Sequence, residues 1–161
     1  MRPAGERQVG VRITSMPMLH DAAYRASIET RVRALGPDAQ RRFGKMTVSQ
    51  MLWHVNEAME IALGTKHTVR HKSAVPGPVL KFFVLNLPWP KGAPTLPIFV
   101  AKAEHDFDAE RARCLRLIGQ LAAKELESEW PENPVFGKVR GRDVTRLHAK
   151  HLNHHLTQFG V

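Results

Sequence analysis

Cysteine is nearly absent from the chain, with Cys114 as the one example among 161 residues. A single cysteine excludes the internal disulfide frameworks that hold many small secreted domains together. This composition is typical of the reducing cytoplasm, which is where we expect the protein to work. Cys114 falls within a predicted amphipathic helix, so we expect a buried structural thiol.

Long apolar segments are also missing. No run approaches the roughly 18 residues that a membrane-spanning helix needs. The first residues, MRPAGERQVGVRI, contain no apolar signal-peptide core. We therefore expect no membrane insertion and a cytoplasmic location.

Negative charge is scarce, since 15 acidic residues stand against 24 lysines and arginines, for a formal net charge of +9. Such an excess of positive charge suggests nucleic acid or an anionic membrane surface as a partner. The basic residues are dispersed, however, and no run of five or six like charges occurs. Neither a helix-turn-helix pattern nor an aromatic nucleic-acid signature is present. We expect no specific nucleic-acid partner, and keep a basic helical binding protein as an alternative function.

Apolar residues recur every three or four positions in four segments, which predicts four long helices. Thr47 and Gln50 can form a capping box at the start of the second helix. Gly36-Pro37 and Gly64 are stop signals for the first and second helices. The predicted helices span about residues 19–35, 47–63, 106–126 and 142–159. We expect residues 1–15 to be a flexible N-terminus and residues 16–161 to form a single helical domain.

The segment between the second and third long helices is long and rich in proline. It contains PGPVLKFFVLNLPWPKGAPTLP, in which VLKFFVLNL predicts a short helix. Structureless loops of this length are uncommon in compact domains and often cover a functional site. Two pairs of long helices joined by a long crossover predict an all-α four-helix bundle. We expect Phe82, Phe83 or Trp89 to form part of a pocket wall, with docking on a membrane surface as the alternative.

Four of the nine histidines lie within eight positions near the C-terminus, in RLHAKHLNHHLTQFG. Because a helix turns about 100° per residue, His148, His151 and His155 fall within a narrow arc of one face. That arc is otherwise apolar. Burying several imidazoles together costs desolvation for each unless a partner satisfies them. A divalent metal is such a partner, since neutral imidazole is a good ligand for it.

Stable binding needs a third ligand from another helix, and His54 on the second helix is the best candidate. With His151 and His155 it predicts a three-histidine site for zinc or nickel. His154 and Gln158 can hold a ligand's other ring nitrogen by a hydrogen bond. The remaining two candidates, His148 and Glu57, each allow more than one interpretation. His148 is an alternative ligand or a substrate-facing proton donor, and Glu57 is a general base, an acceptor for a ligand or a solvated carboxylate. His20, His67, His71 and His105 show no such pattern, and we expect them at the surface.

The same residues carry a family resemblance. GKMTVSQMLWHVNEAMEIALG, followed far downstream by HLNHHLTQFG, resembles the DinB-like superfamily, in particular a bacterial branch of it. The stretches PWPKGAPT and NPVFGKV are also similar to that branch, so the resemblance covers about residues 20–160. It implies a helical bundle in which His54, His151 and His155 bind the metal, with His154 and Gln158 beside them. Leu156-Thr157 stand where many relatives have Arg-Gly, so no particular substrate is carried over.

Three histidines without a fourth protein ligand leave a coordination position for water or substrate. Characterised members of the superfamily include thiol-dependent transferases and a thiol-dependent isomerase. The resemblance therefore implies a metal-dependent enzyme that acts on a small molecule, with a low-molecular-weight thiol as cosubstrate. A hydrolase is a close variant, and a bundle that binds metal without turnover is a further alternative. Because relatives often dimerise and the crossover is rich in apolar residues, we also expect a homodimer.

Overall fold

The computed structural model describes residues 16–161, so the predicted flexible segment 1–15 lies outside the described residues. The regular elements of this part of the chain are all helical, apart from an isolated bridge between Asn133 and Gly137. The all-α prediction is therefore confirmed. The elements are α1 (Ala22–Ala34), α2 (Val48–Leu63), α3 (Gly77–Asn86), the 3-10 helix η1 (Pro97–Phe99), α4 (Phe107–Ala123) and α5 (Gly141–Gln158).

Four of these helices pack as a closed ring. Helix α1 contacts α4 and α5, and α2 contacts the same two helices from the opposite side. The crossover between α2 and α4 carries α3 and η1, with α3 against α5 and η1 against α2. The predicted bundle with a long crossover is thus confirmed, and the crossover lies over the α2–α5 side.

Local sequence signals set the helix ends. The Thr47 side chain accepts from the Gln50 backbone and the Gln50 side chain accepts from the Thr47 backbone, as in the predicted capping box. Gly64 ends α2 in the left-handed conformation at φ 78°. Asp21 caps α1 by accepting from the Tyr24 backbone, so this helix begins later than its apolar pattern suggested. Helix α4 ends at Ala123, three residues before the predicted Leu126.

The core lies between the four helices. Cys114 is fully buried there, as predicted for a structural thiol, and burial raises its pKa to about 12. Each fully buried aliphatic side chain stabilises the fold by about 1.5–3 kcal/mol relative to an exposed one. The largest fully buried side chains are Leu19, Ile28, Leu35, Met51, Leu52, Met59, Ile118, Leu121, Leu152 and Leu156.

Helix α3 is apolar on two sides. Leu85 is buried, whereas Val79 and Phe82, three residues apart, are exposed on the outer side. A surface helix of a bundle ordinarily turns polar side chains outward. None of the described helices has the length and apolar character required to cross a membrane.

Candidate metal centre

Three histidines from two helices meet between α2 and α5. His54 comes from α2, and His151 and His155 come from successive turns of α5. The ring centroids of all three pairs are 4.9 Å apart. One ring nitrogen of each residue lies within 4.8 Å of the others, which is a spacing that could hold a metal ion. We call these residues the histidine cluster.

The protonation of His54 follows from its partner on the crossover. Its Nδ1 lies 2.8 Å from the carbonyl oxygen of Phe99, which can only accept, so Nδ1 carries the proton. The Nε2 lone pair then points away from the crossover. It lies 2.9 Å from Nε2 of His151, so either Nε2–H of His151 donates a hydrogen bond to it or the two nitrogens bind one cation.

Gln158 orients His155 in the same way. The Gln158 amide nitrogen donates to the Phe43 carbonyl at 2.7 Å, which leaves its oxygen to accept from Nδ1 of His155 at 2.8 Å. The Nε2 lone pair of His155 is therefore directed into the cluster. Gly44 makes room for this clamp, because a Cβ at its φ of 78° would lie 2.4 Å from the Gln158 nitrogen.

Burial keeps these imidazoles neutral. Desolvation lowers the pKa of His54, outweighing its bond to the Phe99 carbonyl. Desolvation and the neighbouring histidines hold the pKa of His151 well below its ordinary range. The same causes lower the pKa of His155 to about 3. Neutral imidazole is the form that binds metal, so the protonation state of the cluster suits a cation.

The donor set also suits a borderline divalent ion. Two of the three rings have their protonated nitrogen tied to an oxygen acceptor, which is the arrangement seen around metal-binding histidines. No cysteine or carboxylate of residues 16–161 joins the three nitrogens. Three nitrogen ligands fit zinc or nickel and leave a position for an exogenous ligand.

A cavity of about 930 Å³ opens onto the cluster. Its walls come from α2, α3, the segment that contains η1, residues 131–139 and α5. This volume is near the upper end of the range for small-molecule sites. The cluster therefore lies at one wall of a chamber that is large enough for a substrate.

Two further histidines of α5 face this cavity without joining the cluster. His148 is 3% exposed, and its buried Nδ1 has no hydrogen-bond partner among the described residues. Desolvation lowers the pKa of His148 to about 4. Its ring centroid lies 6.5 Å from that of His151, whereas the half-buried His154 packs edge-on against Phe43 and His155.

The three aromatic residues predicted for the pocket wall divide between two environments. Trp89 and Phe83 line the cavity, and the Trp89 ring centroid lies 5.5 Å from that of His151. The Trp89 indole donates to the Val84 carbonyl, which fixes the ring beside the cluster. Phe82 is 59% exposed and does not line the cavity, so its prediction as a wall residue was wrong. The helical turn between positions 82 and 83 places it on the outer side of α3.

Glu57 is neither a solvated carboxylate nor a partner of the cluster. It is 4% exposed and turns toward α4, where it pairs with Arg113 at 2.9 Å and with Lys66. Burial favours a higher pKa for Glu57, but the bonds and charges of Lys66 and Arg113 outweigh it and lower that pKa. The sequence showed that Glu57 lies one turn after His54, but it did not show that Glu57 would form an ion pair with Arg113.

The remaining histidines are less uniform than expected. His67 and His71 are exposed, as predicted, although His71 borders the cavity. His20 and His105 are half-buried and each contacts another part of the chain. His20 is bonded to the Lys124 carbonyl and His105 is stacked on Trp53 at 5.1 Å between centroids.

Sequence reasoning missed the backbone groups that orient the cluster. The carbonyls of Phe99 and Phe43 carry no residue-type signature, because any residue offers the same oxygen. Only Gly44 gave a usable signal, since a glycine just before a helix marks a position where the backbone is tightly approached.

Comparison with known proteins agrees with the bundle and the cluster. No curated protein and no solved structure matches the chain. A family model described as the DinB superfamily matches residues 23–159, which includes all four long helices except the first residue of α1. The match extends through His54, His151 and His155. The chain belongs to the DinB superfamily.

Proposed function

We propose that the protein is a metal-dependent enzyme that transfers or adds a low-molecular-weight thiol on an electrophilic small molecule. The observation that carries this proposal is the convergence of three neutral imidazoles at the wall of a large cavity. His54, His151 and His155 would hold the ion, which we expect to be zinc or nickel. A structural zinc site would more often have four protein ligands, so the open position favours catalysis.

The chain supplies orientation and exclusion of water. Phe99 and Gln158 fix two of the imidazoles, and the Trp89 ring packs beside His151 on the crossover side. A divalent ion in such a site lowers the pKa of a thiol or water that occupies its open position. In the thiol reaction a carbon–sulfur bond forms, and the leaving group departs with its electron pair. In an addition, the proton lost by the thiol returns to the product.

Metal content tests the first half of the proposal. Untagged protein purified without chelator should contain about one equivalent of zinc or nickel, as measured by inductively coupled plasma mass spectrometry. His151→Ala should reduce this to background, because it removes one of the three converging nitrogens. His67→Ala is the matched control, since His67 is exposed and away from the cluster, and it should retain the metal.

Absence of metal in the purified wild type, together with no uptake of added zinc or nickel, would contradict the metal site. A second variant separates ligand loss from misfolding. Leu87→Ala lies on the crossover near the cavity but adds no ligand change, so it should keep stoichiometric metal. If His148→Ala also loses the metal, His148 acts as a ligand and the assignment to His54 must be revised.

Turnover tests the second half. Metal-loaded protein should accelerate the reaction of a thiol panel with 1-chloro-2,4-dinitrobenzene, in which sulfur displaces chloride. The acceleration should disappear in His151→Ala and remain in His67→Ala. Metal binding without acceleration of this or a hydrolytic reaction would support the alternative of a non-catalytic bundle.

A homodimer through the outer side of α3 accompanies the proposal. Val79 and Phe82 are exposed there, and apolar surface of this kind favours association. Sedimentation of the wild type should give a dimer mass, and Phe82→Ser should shift it toward the monomer. A wild-type monomer at all concentrations, or strong binding to anionic vesicles through this side, would contradict the dimer.

We expect a cytoplasmic location.

A further inference from the structure

The cavity differs in charge from the rest of the molecule. The chain carries 24 lysines and arginines, yet Lys81 is the one lysine or arginine that lines the cavity among residues 16–161. Its ammonium group lies 3.0 Å from the carboxylate of Asp143, so the two charges neutralise each other. The remaining charged residue of the lining is Glu132, which is exposed at the edge. The net charge of +9 therefore does not make this cavity a site for anions.

Most of the lining is apolar. Leucine, valine and proline side chains of α3, of the crossover and of residues 131–139 form the walls, with Trp89, Phe83 and Phe136 among them. An ion transferred into such surroundings without a partner loses its hydration and gains little in return. An uncharged, largely apolar molecule gains free energy on entering, in proportion to the apolar area that it buries.

One buried polar group in this lining lacks a partner. Nδ1 of His148 is enclosed and makes no hydrogen bond to any described residue, and the side chain is 3% exposed. A buried polar atom without a partner costs about 1–3 kcal/mol. Because Nδ1 is enclosed by protein atoms, a ligand in the cavity would meet the ring at Nε2. Neutral imidazole has one donor and one acceptor nitrogen, so Nε2 can pair with either kind of group according to the tautomer.

We propose that the cavity binds an uncharged, largely apolar molecule with a hydrogen-bonding group that pairs with His148. This inference identifies the chemical class of the electrophilic substrate and, in that respect, rests on the proposed function. His148 is a specificity-determining residue in this arrangement. The low-molecular-weight thiol would approach the open side of the histidine cluster.

Two probes with one skeleton test the charge preference. N-phenyl-1-naphthylamine is neutral and carries one N–H group, and 8-anilinonaphthalene-1-sulfonate is the same molecule with an anionic sulfonate added. Fluorescence titration should show one equivalent of the neutral probe bound, with at least tenfold weaker binding of the anion. Equal or tighter binding of the anion would overturn the proposal, because the surface charge of +9 would then dominate.

Two adjacent phenylalanines locate the bound probe. Phe83 lines the cavity, whereas Phe82 is exposed on the outer side of α3 and does not line it. Phe83→Ala should weaken binding of the neutral probe at least fivefold, and Phe82→Ala should change it less than twofold. If Phe82→Ala has the equal or larger effect, the probe binds on the outer surface and the cavity assignment fails.

Variants at position 148 test the polar contact. His148→Leu should weaken binding of the neutral probe roughly fivefold, which is the value of one neutral hydrogen bond. His148→Gln keeps a donor and an acceptor and should stay within about twofold of the wild type. Unchanged or tighter binding in His148→Leu would remove His148 from recognition. The far-UV circular dichroism of both variants verifies that they are folded.

Binding to chelator-treated protein distinguishes this inference from the proposed function. The neutral probe should bind His151→Ala and the chelated wild type within about threefold of the untreated protein, because the apolar walls do not involve the metal. Metal absence with retained probe binding would contradict the proposed function alone. Stoichiometric metal without probe binding would contradict this inference alone.

Discussion

Helix α2 borders two buried polar clusters that differ in how their members are satisfied. Toward α5 it contributes His54 to the histidine cluster. Toward α4 it contributes Glu57, Glu60 and Asn56 to a second set, the ionic cluster, which also contains Lys66, Glu110 and Arg113. The Arg113 guanidinium contacts all three carboxylates, at 2.9 Å for Glu57, 2.7 Å for Glu60 and 3.1 Å for Glu110.

This difference indicates that the ionic cluster stabilises the fold, whereas the histidine cluster can bind a ligand. In the ionic cluster each charge faces an opposite charge, and hydrogen bonds to the three carboxylates raise the pKa of Arg113 despite the opposing effect of its desolvation. In the histidine cluster the oxygen acceptors lie on the outer sides, and lone pairs are directed inward at one another. The charges of the first set are paired within the protein, although the buried Oδ1 of Asn56 has no partner among the described residues. In the second set the nitrogens lie close enough to one another to hold a cation.

Removing the centre of the ionic cluster should have the largest effect on stability. Arg113→Met leaves the buried Glu57 carboxylate with Lys66 alone, and breaking a buried pair costs about 3–5 kcal/mol. Urea denaturation of the metal-free protein at pH 7 measures this loss. His151→Ala is the comparison variant and should cost less than about 1 kcal/mol in the same assay, although it abolishes metal binding. A larger loss in His151→Ala would make the histidine cluster the structural one.

Glu57→Gln tests the same cluster by its pH dependence. The folded pKa of Glu57 is lowered, so its charge contributes stability that is fully present above the unfolded pKa of about 4.3 and is lost as the pH falls through the folded pKa. The variant should be less stable by about 2 kcal/mol at pH 7, where bonds to the charged carboxylate are lost. The difference from the wild type should persist to about pH 5 and shrink below pH 4. Urea denaturation across this range checks it, and a difference that grows in acid would contradict the ion pairing.

The spacing of residues along each helix carried the prediction of the bundle and of the neighbours in the histidine cluster. His151 and His155 are four apart and must project together, and the Thr47–Gln50 box is a local interaction. The prediction for Glu57 was wrong because its partner, Arg113, is 56 residues away along the chain. No local pattern specifies which carboxylate an arginine will contact. The prediction for Phe82 was wrong because α3 is apolar on two sides. The periodicity of its apolar residues could not distinguish the cavity side from the outer side.

Loosening the Gln158 clamp should have a smaller effect than removing a ligand. Gln158→Leu deletes the acceptor that fixes Nδ1–H of His155, and loss of such a partner weakens metal affinity by about tenfold. Metal content at saturating zinc should remain near one equivalent, whereas competition with a chromophoric chelator should reveal the weaker affinity. Gly44→Ala should reproduce part of this effect, because its Cβ would displace the Gln158 amide. Unchanged affinity in Gln158→Leu would show that helix geometry alone orients His155.

The smallest effect on metal affinity is expected at His154, which neighbours His155 in sequence but lies outside the convergent set. Its ring packs edge-on against Phe43 and His155 and lies 5.6 Å from the Trp89 ring, so it supports the cluster by contact alone. His154→Ala should change zinc affinity less than about threefold in the chelator competition assay. His154→Phe keeps the ring contacts and should match the wild type more closely still. A loss of tenfold or more in both variants would place His154 among the ligands and would make the site one of four histidines, without the open position on which catalysis depends.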